Sequence, residues 1–403
     1  MPPTSKSAAQ ILLTLAAVAL TAAIGFSRTF YDVSTLNPFM WWVLCGVVII
    51  HLRVHPSWQD ALLVAFSGIL FSFVAFGLRG LDPGVHPVCC YLGLGSLAVL
   101  GMRTLWATPE ARTRLGLFPA FVASCVFVGF LYLAGTVLYY GERLQPKTLD
   151  LYLLSFDGSL GFQPSFVVGK YFWGYVWLRR AALFGYSGLP LALALAYVEN
   201  LVARRERSAT VGLGIFYLGA LGVFAYSLFP ATGPIHLFGP LFPDHPLASE
   251  QARTLALMAI PAEGPRNAMP SLHMAWVLWC WWCVRGLKVW VKSATLAFVV
   301  LTVISTLGTG EHYLIDLVVA FPFTLMILAL FSLPLAWRNS ARLAALFGGL
   351  GVTLLWFVLL RYTPGLFWIS PLVPWTLALA TIALVHALKS RLVEVLDACS
   401  PTA

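Results

Sequence analysis

Long apolar runs, broken by few charges, are the feature that most constrains how this chain can fold. Of its 403 residues, 60% are hydrophobic and 10% are charged. Soluble domains carry about 25% charged residues, so this chain cannot cover an ordinary water-facing surface. Lipid offers the backbone no hydrogen-bond partners, and only helices and closed barrels span it. Because the runs lack the alternation of barrel strands, the sequence predicts an all-α, polytopic transmembrane helical bundle.

We interpret twelve apolar runs as helices of about the 20 residues that a membrane span requires. The runs cover residues 8–26, 38–53, 60–79, 87–105, 117–140, 182–203, 210–229, 269–287, 291–308, 312–333, 343–361 and 369–388. The first run lacks a convincing cleavage site, so we predict a retained helix rather than a signal peptide. In the longer interval 141–181, residues 165–181 combine aromatic and basic side chains. That composition predicts a helix lying in the membrane interface.

Clusters of Lys and Arg between the runs predict the orientation of the bundle. They are Arg103 with Arg112 and Arg114, Arg204 with Arg205 and Arg207, Arg285 with Lys288 and Lys292, Arg338 with Arg342, and Lys389 with Arg391. With twelve spans all of them fall on one side, which the positive-inside rule makes cytoplasmic. Both termini are then cytoplasmic, and residues 230–268 and 308–312 face the other side of a plasma or inner membrane. Because these clusters explain the net charge of +9, we expect no nucleic-acid partner.

Three ionisable residues within apolar sequence, His273, His312 and Asp316, indicate a functional site. Ionisable groups are costly at membrane depth and are functional candidates there. Pro270 suits the first turn of a helix, which predicts that Ser271 and His273 occupy that turn. The four-residue spacing of His312 and Asp316 predicts that both lie on one face of another helix start. Two helix N-termini side by side would favour a phosphate.

The chemistry of these side chains suggests their roles. A nucleophilic imidazole needs one free nitrogen and a carboxylate on the other, which His312 and Asp316 would supply. His273 would donate the proton that the leaving oxygen needs. The alternative is that such histidines merely pack inside helices. Nearby polar groups are expected to bind the substrate. They are Arg266, Asn267, Ser271, Thr309 and Tyr313.

The same residues resemble motifs of the type 2 phosphatidic acid phosphatase superfamily. Residues 270–273 (PSLH) are similar to its second motif, and residues 312–316 (HYLID) to a common form of its third. Leu272, where the phosphatases usually have glycine, resembles the aureobasidin-resistance branch, the inositol phosphorylceramide synthases. Residues 228–234 (LFPATGP) are similar to the same branch, and residues 156–161 (FDGSLG) resemble bacterial members.

The resemblance spans about residues 150–335. It implies a six-helix catalytic core, a phosphohistidine on His312, orientation of that ring by Asp316 and proton donation by His273. It also implies that no metal and no cofactor is needed.

Two positive charges of the superfamily pattern are missing from this chain. The first motif, a Lys followed seven residues later by Arg-Pro, is absent, and Thr309-Gly310 stands where the third motif usually has Ser-Arg. Arg266 is the best replacement, and Arg179 and Arg180 are weaker ones. Each of these arginines has an alternative role as an anchor for a lipid headgroup.

These observations divide the chain into three segments and give one leading function. Residues 1–140 are transmembrane helices of unknown role, residues 141–335 are the catalytic core, and residues 336–403 are C-terminal transmembrane helices. The resemblance implies a phosphotransferase that moves a phosphoryl headgroup, with phosphoinositol one candidate, from a phospholipid to a lipid hydroxyl. The alternatives are a lipid phosphate phosphatase that uses water and a non-catalytic lipid transporter. A zinc hydrolase using His236 and His245 is disfavoured, because no metal-ligand spacing occurs.

Overall fold

The structure is a computed structural model that describes Leu15, residues 38–81 and residues 85–399. Its regular elements are almost entirely helical, which confirms the predicted all-α class. The helices are α1 (Pro38–Arg53), α2 (Trp58–Gly77), α3 (Val85–Trp106), α4 (Pro109–Leu115), α5 (Leu117–Leu144), α6 (Asp150–Ser159), α7 (Pro164–Gly174), α8 (Val176–Ser187), α9 (Leu189–Ala203), α10 (Arg205–Leu228), α11 (Pro234–Phe238), α12 (Ser249–Arg253), α13 (Leu272–Cys283), α14 (Val289–Gly308), α15 (Leu314–Leu330), α16 (Ser340–Tyr362) and α17 (Leu372–Cys399). Two short strands, β1 (Lys147–Thr148) and β2 (Ile260–Pro261), pair antiparallel, and 3-10 turns cover Gly239–Leu241 and Pro364–Trp368.

Six described helices are long and apolar enough to cross a membrane, or up to eight spans if two bent helix pairs each count once. The six are Trp58–Gly77, Pro87–Trp106, Ser208–Leu228, Val289–Gly308, Ser340–Tyr362 and Leu372–Cys399. The chain is therefore polytopic, but this part of it has fewer spans than the twelve predicted. The predicted run 8–26 lies outside the described residues apart from Leu15. Helices α1, α13 and α15 are shorter, with 16, 12 and 17 residues, against about 20 for a typical span.

The described residues pack as two compact units. The first unit holds the described residues up to Tyr132 together with Ser187–Gly212. The second holds Leu133–Tyr186 and the described residues from Leu213 onward. This division differs from the three segments expected from the sequence. The C-terminal helices α16 and α17 pack on α15, and so they share a unit with the segment that carries the motifs.

In the first unit, α3 packs against α1 and α2, and α9 packs against α1. Gly93 allows the close approach of α3 to α1, because a Cβ there would lie 2.7 Å from a backbone oxygen of α1. Arg103 of α3 donates hydrogen bonds to the carbonyl oxygens of Val54 and His55. Its Nε also lies 3.3 Å from Asp60 Oδ2. Arg103 thereby ties the connection between α1 and α2 to the end of α3.

In the second unit, α13 packs against α14 and α15, α7 packs on α14, and α16 and α17 pack on α15. A Cβ on Gly349 of α16 would lie 2.6 Å from Pro322 O, so glycine permits the contact with α15. Arg342 of α16 is buried and donates to the carbonyl oxygens of Ala329 and Leu330. Those carbonyls end α15, where helices leave acceptors without partners. Arg342 therefore fixes the end of α15 against the start of α16.

Candidate active site

The starts of α13 and α15 lie side by side and bring the two sequence motifs together. Ser271 N donates to Asp316 O at 3.1 Å, and Ser271 Oγ lies 3.2 Å from His312 Nε2. The ring centroids of His273 and His312 are 6.4 Å apart. His312 Nδ1 lies 3.4 Å from Asp316 Oδ2. The structure therefore gathers His273, His312, Asp316 and Ser271 into one group, which we call the histidine cluster.

The prediction that Pro270 opens helix α13 is wrong. The helix begins at Leu272, and Ser271 is its N-cap, with Ser271 Oγ accepting a hydrogen bond from Met274 N at 3.4 Å. A serine hydroxyl satisfies one of the N–H groups that a helix start leaves without a partner. For that reason Ser271, and not Pro270, sets the boundary. His273 lies in the opening turn of α13.

The predicted helical face shared by His312 and Asp316 is also wrong. Helix α15 begins at Leu314, so His312 lies two residues before it. Asp316 Oδ2 accepts from Tyr313 N at 2.8 Å, and Asp157 Oδ2 accepts from Leu314 N at 3.0 Å. Carboxylates are favoured here because the N-terminal end of a helix dipole is positive. His312 and Asp316 therefore meet through the loop conformation rather than through helical spacing.

The hydrogen-bond partners of the His312 ring indicate which ring nitrogen carries the proton. Nδ1 lies 3.0 Å from Ala268 O and 3.4 Å from Asp316 Oδ2. A carbonyl and an ionised carboxylate only accept hydrogen bonds, so Nδ1 carries the proton. The lone pair of Nε2 is then directed to the Ser271 hydroxyl. Ser165 Oγ donates to His312 O at 2.8 Å and holds the backbone of the same residue. An imidazole with its proton on Nδ1 has an Nε2 lone pair, the chemical requirement for a nucleophile.

Aromatic side chains surround His273. Tyr186 of α8 stacks on the imidazole, with the ring centroids 3.9 Å apart and the planes 16° from parallel. Trp276 meets the same ring edge-on, at 6.4 Å between centroids. Trp276 Nε1 donates to Ile215 O at 3.0 Å, which fixes the indole. Sequence reasoning missed Tyr186, because no local pattern relates the end of α8 to the start of α13.

Asp150, the first residue of α6, is a buried carboxylate that sequence reasoning also missed. It accepts hydrogen bonds from Thr232 N at 3.1 Å, Gly233 N at 2.8 Å and the Tyr313 hydroxyl at 3.1 Å. These bonds join the turn before α11 to the start of α15. Asp150 therefore positions the residue that follows His312 in the chain.

We expect Asp150→Asn to lower the free energy of unfolding by about 1.5–3 kcal/mol, the range for hydrogen bonds to charged groups. The reason is that the new amide has one acceptor oxygen, and its NH₂ group would face donors. Thermal unfolding of the purified protein in detergent measures the change. Asp244→Asn, which alters an exposed loop carboxylate, is the matched control. Equal midpoints for the wild type and both variants would contradict this role.

Asp157 of α6 is the second buried carboxylate beside the cluster. Burial raises the pKa of Asp157 well above its ordinary range, against a smaller lowering by the hydrogen bond from Leu314 N. Its Oδ1 has no hydrogen-bond partner among the described residues. In the sequence, residues 156–161 were notable only for their resemblance to bacterial members of the superfamily. The structure places their carboxylate at the N-terminus of α15.

Arg266, the predicted replacement for the missing phosphate-binding charge, is 2% exposed and already occupied. It donates to the carbonyl oxygens of Gln145, Pro146, Ala262 and Gly264. Four of the five N–H groups of a guanidinium are thereby used. In this arrangement Arg266 connects the loop at Gln145 and Pro146 to the loop at Ala262 and Gly264. These contacts do not support the expected contact of Arg266 with phosphate.

The other expected substrate-binding residues have different surroundings. The Tyr313 hydroxyl donates to Asp150 Oδ1, and Thr309 Oγ1 donates to Ser305 O at 2.8 Å. Neither hydroxyl proton is directed to the cluster. Asn267 Oδ1 is buried and has no hydrogen-bond partner within the described residues. Ser271 is the expected binding residue that touches the His312 ring.

The predicted interfacial helix at 165–181 is two helices, α7 and α8, which meet at Tyr175. Gly174 ends α7, and Tyr175 is extended, with φ −115° and ψ 106°. Arg179 of α8 lies 5.4 Å from the centroid of the Trp173 ring. It precedes Tyr186 by two helical turns. Exposed aromatic residues mark the same stretch. They are Tyr171, Trp173, Tyr175 and Trp177.

His236 of α11 lies beside Glu311, the residue before His312. The His236 Nε2 and Glu311 Oε2 atoms are 3.7 Å apart. The Glu311 carboxylate raises the pKa of His236 above its ordinary value of 6.5, and partial burial opposes that shift. The pair therefore links α11 electrostatically to the loop that carries His312.

This pair predicts a pH-dependent contribution to stability. Because folding raises the pKa of His236, the contribution is fully present below pH 6.5 and is lost as pH rises through the folded pKa. We expect His236→Gln to lower the free energy of unfolding by at most about 1 kcal/mol at about pH 5.5, and by much less at about pH 9. Thermal unfolding at both pH values measures this, with His245→Gln in the exposed loop as control. A pH-independent difference would contradict it.

Comparison with protein-family models gives a match to the PAP2 superfamily over residues 151–330. The matched segment starts in α6, ends with α15 and contains the histidine cluster. It supports the superfamily predicted from the motifs, but not the inositol phosphorylceramide synthase-like branch. Searches of curated proteins and of solved structures give no match. Residues 151–330, the segment that carries the candidate site, are thus similar to the PAP2 superfamily.

Proposed function

We propose that this integral membrane protein transfers a phosphoryl group from a lipid phosphate through a phosphohistidine on His312. The proposal is carried by one observation, the convergence of the His312 ring, its Asp316 partner and the His273 ring. The superfamily match supports this class of reaction. The apolar helices support action on a substrate held in the membrane.

In the first step, His312 Nε2 attacks the phosphorus atom of the donor. The N–P bond forms while the bond from phosphorus to the leaving oxygen breaks. Asp316 and the Ala268 carbonyl hold Nδ1–H and stabilise the positive charge of the ring. His273 gives the leaving oxygen its proton. The N–H groups at the start of α13 favour the phosphoryl oxygens, whereas Tyr313 N and Leu314 N at the start of α15 already donate to Asp316 and Asp157.

In the second step, an acceptor oxygen attacks phosphorus, loses its proton to His273 and releases His312 Nε2. We propose a lipid hydroxyl as the acceptor, so that a phosphoryl headgroup, with phosphoinositol one candidate, passes between two lipids. His312 is 1% exposed, and Ser271 and Asp316 are 0% exposed. A site that excludes water protects a reactive intermediate from hydrolysis, which supports transfer to a lipid.

Hydrolysis by water is the second candidate for the same site. It is favoured by the match to the PAP2 superfamily as a whole rather than to a synthase-like branch. Its first step is identical, and the phosphohistidine then loses its phosphoryl group to a water molecule. The two functions differ only in the acceptor.

The acceptor is tested with purified full-length protein in liposomes that contain a headgroup-labelled phospholipid. We expect label in a new lipid product only when diacylglycerol or ceramide is supplied, and no change on addition of EDTA. Release of the labelled phosphoryl headgroup into water regardless of the acceptor would establish hydrolysis instead. Movement of intact labelled lipid between leaflets without any product would contradict both enzymatic functions and support a transporter.

We also propose that the cluster opens to the extracytoplasmic face and that both termini are cytoplasmic. The support is the placement of the Lys and Arg clusters between the apolar runs. A green fluorescent protein fused after Ala403 should be fluorescent in bacterial cells, and alkaline phosphatase fused there should be inactive. The opposite pair of results would reverse the orientation.

A further inference from the structure

A pocket of about 330 Å³ lies in the second unit and contains no residue of the histidine cluster. Its walls come from the segment between α5 and α6, from the end of α10, from the residue before β2 and from the end of α16. Helices α10 and α16 are both candidate membrane spans that end at this point. The pocket therefore lies at the depth where spanning helices leave the hydrocarbon.

Two of the lining residues are exposed cations, Lys147 of β1 and Arg361 in the last turn of α16. Neither forms an ion pair with a carboxylate in the described part of the chain. The Arg361 guanidinium lies 5.6 Å from the centroid of the Tyr362 ring. The pocket thus offers two positive charges from different elements to an anion.

The remaining lining is largely apolar and continues onto an exposed apolar surface of α10. Leu228, in the pocket wall, is 44% exposed, and Phe224, one turn earlier on α10, is 62% exposed. Both belong to the candidate span Ser208–Leu228. An apolar track therefore runs along α10 from the hydrocarbon to the two cations.

The walls of this pocket are held in place by hydrogen bonds. Gln145 Nε2 donates to Ser227 O at 3.0 Å, and Leu149 N donates to Pro230 O at 2.7 Å. Arg266 fastens the same wall from outside through the carbonyl oxygen of Gln145. These bonds connect the segment that carries Lys147 to the end of α10.

Ring packing fixes the opposite wall. The Phe229 and Phe357 ring centroids are 5.6 Å apart, which joins the residue after α10 to α16. Arg361 follows Phe357 by one helical turn and therefore lies on the same side of α16. The distance between the two cation-bearing elements is thus set before any ligand binds.

We infer that this pocket binds an anionic phospholipid, with its phosphate between Lys147 and Arg361 and an acyl chain along Phe224 and Leu228. The two cations complement the headgroup charge, and the volume is that of a small-molecule site. A soluble phosphate would leave the apolar track unused, and we therefore infer a lipid rather than a soluble anion. The inference does not rest on the proposed function, because Lys147 and Arg361 belong to neither motif.

The test uses full-length protein reconstituted in phosphatidylcholine nanodiscs with about 10% phosphatidylglycerol, and then native mass spectrometry in detergent. We expect the protein to retain phosphatidylglycerol in preference to phosphatidylcholine. The double variant Lys147→Gln/Arg361→Gln should lower that retention by about tenfold or more, because the headgroup phosphate loses both of its cationic partners. The exchange Lys147→Arg/Arg361→Lys should keep it.

The matched control is Arg338→Gln/Arg391→Gln, which removes two exposed cations outside the pocket and should leave retention unchanged. Equal loss in this control would overturn the site, as would full retention by the Lys147→Gln/Arg361→Gln variant. Equal retention of phosphatidylcholine by the wild type would show that the cations select no anion. Binding of inorganic phosphate alone, lost in the same Gln variant, would overturn the lipid as the occupant.

Discussion

His312→Asn is expected to reduce phosphoryl transfer from a lipid phosphate by about 10⁴-fold or more, because it removes the atom that forms the covalent intermediate. An asparagine amide still carries an N–H that suits the Ala268 carbonyl, so the loop should keep its conformation. The measurement is the initial rate of product formation by purified protein in mixed micelles. Phosphatidic acid and a phosphodiester lipid should both be used as donors.

The matched control for this variant is His245→Asn, which replaces an exposed imidazole of the loop between α11 and α12. It should retain the wild-type rate. Thermal unfolding of His312→Asn should show that the protein is still folded. A rate within tenfold of the wild type in folded His312→Asn would remove His312 from the mechanism.

His273→Asn is expected to lower the same rate by about 10²–10⁴-fold, the usual contribution of a general acid. The loss should depend on the leaving group. An alkoxide leaving from a lipid needs a proton, whereas p-nitrophenolate leaves readily without one. We therefore expect a much smaller loss when a p-nitrophenyl phosphate ester is the donor.

Tyr186→Phe is the control for His273→Asn, because it keeps the ring that stacks on the imidazole and removes only a hydroxyl. Its rate relative to the wild type should be the same with the lipid donor and with the p-nitrophenyl donor. If His273→Asn lost activity equally with the lipid and the p-nitrophenyl donor, His273 would support the structure of the site and would not supply a proton.

Hydropathy predicted the helical class and most of the helices, because a backbone in lipid must satisfy its hydrogen bonds internally and few structures do so. It predicted twelve spans over the whole chain, whereas six to eight candidate spans lie in the described residues, since an apolar run shows only that a segment avoids water. Helix α13, at 12 residues, is apolar because it is buried inside the second unit, where Val277 and Leu278 are covered. Burial in protein and burial in lipid leave the same signal in a short run.

Motif spacing predicted the residues of the histidine cluster, but not the contacts that hold them. His312 and Asp316 are close in sequence, and so their pairing is visible locally. The contacts of Asp150 and Tyr186 join segments that are remote along the chain, and no local pattern reveals them. Arg266 was predicted to bind phosphate, but it donates to four carbonyl oxygens. The sequence around a single arginine does not distinguish these two roles.

The central claim is a covalent phosphohistidine at His312, and trapping that intermediate tests it most directly. The protein would be mixed with a ³²P-labelled lipid phosphate, quenched in alkali and digested, and the peptide that contains His312 would be analysed by mass spectrometry. We predict a label that survives alkali, is released by acid and is absent from His312→Asn. No label during turnover, or the same label in His312→Asn, would contradict the mechanism.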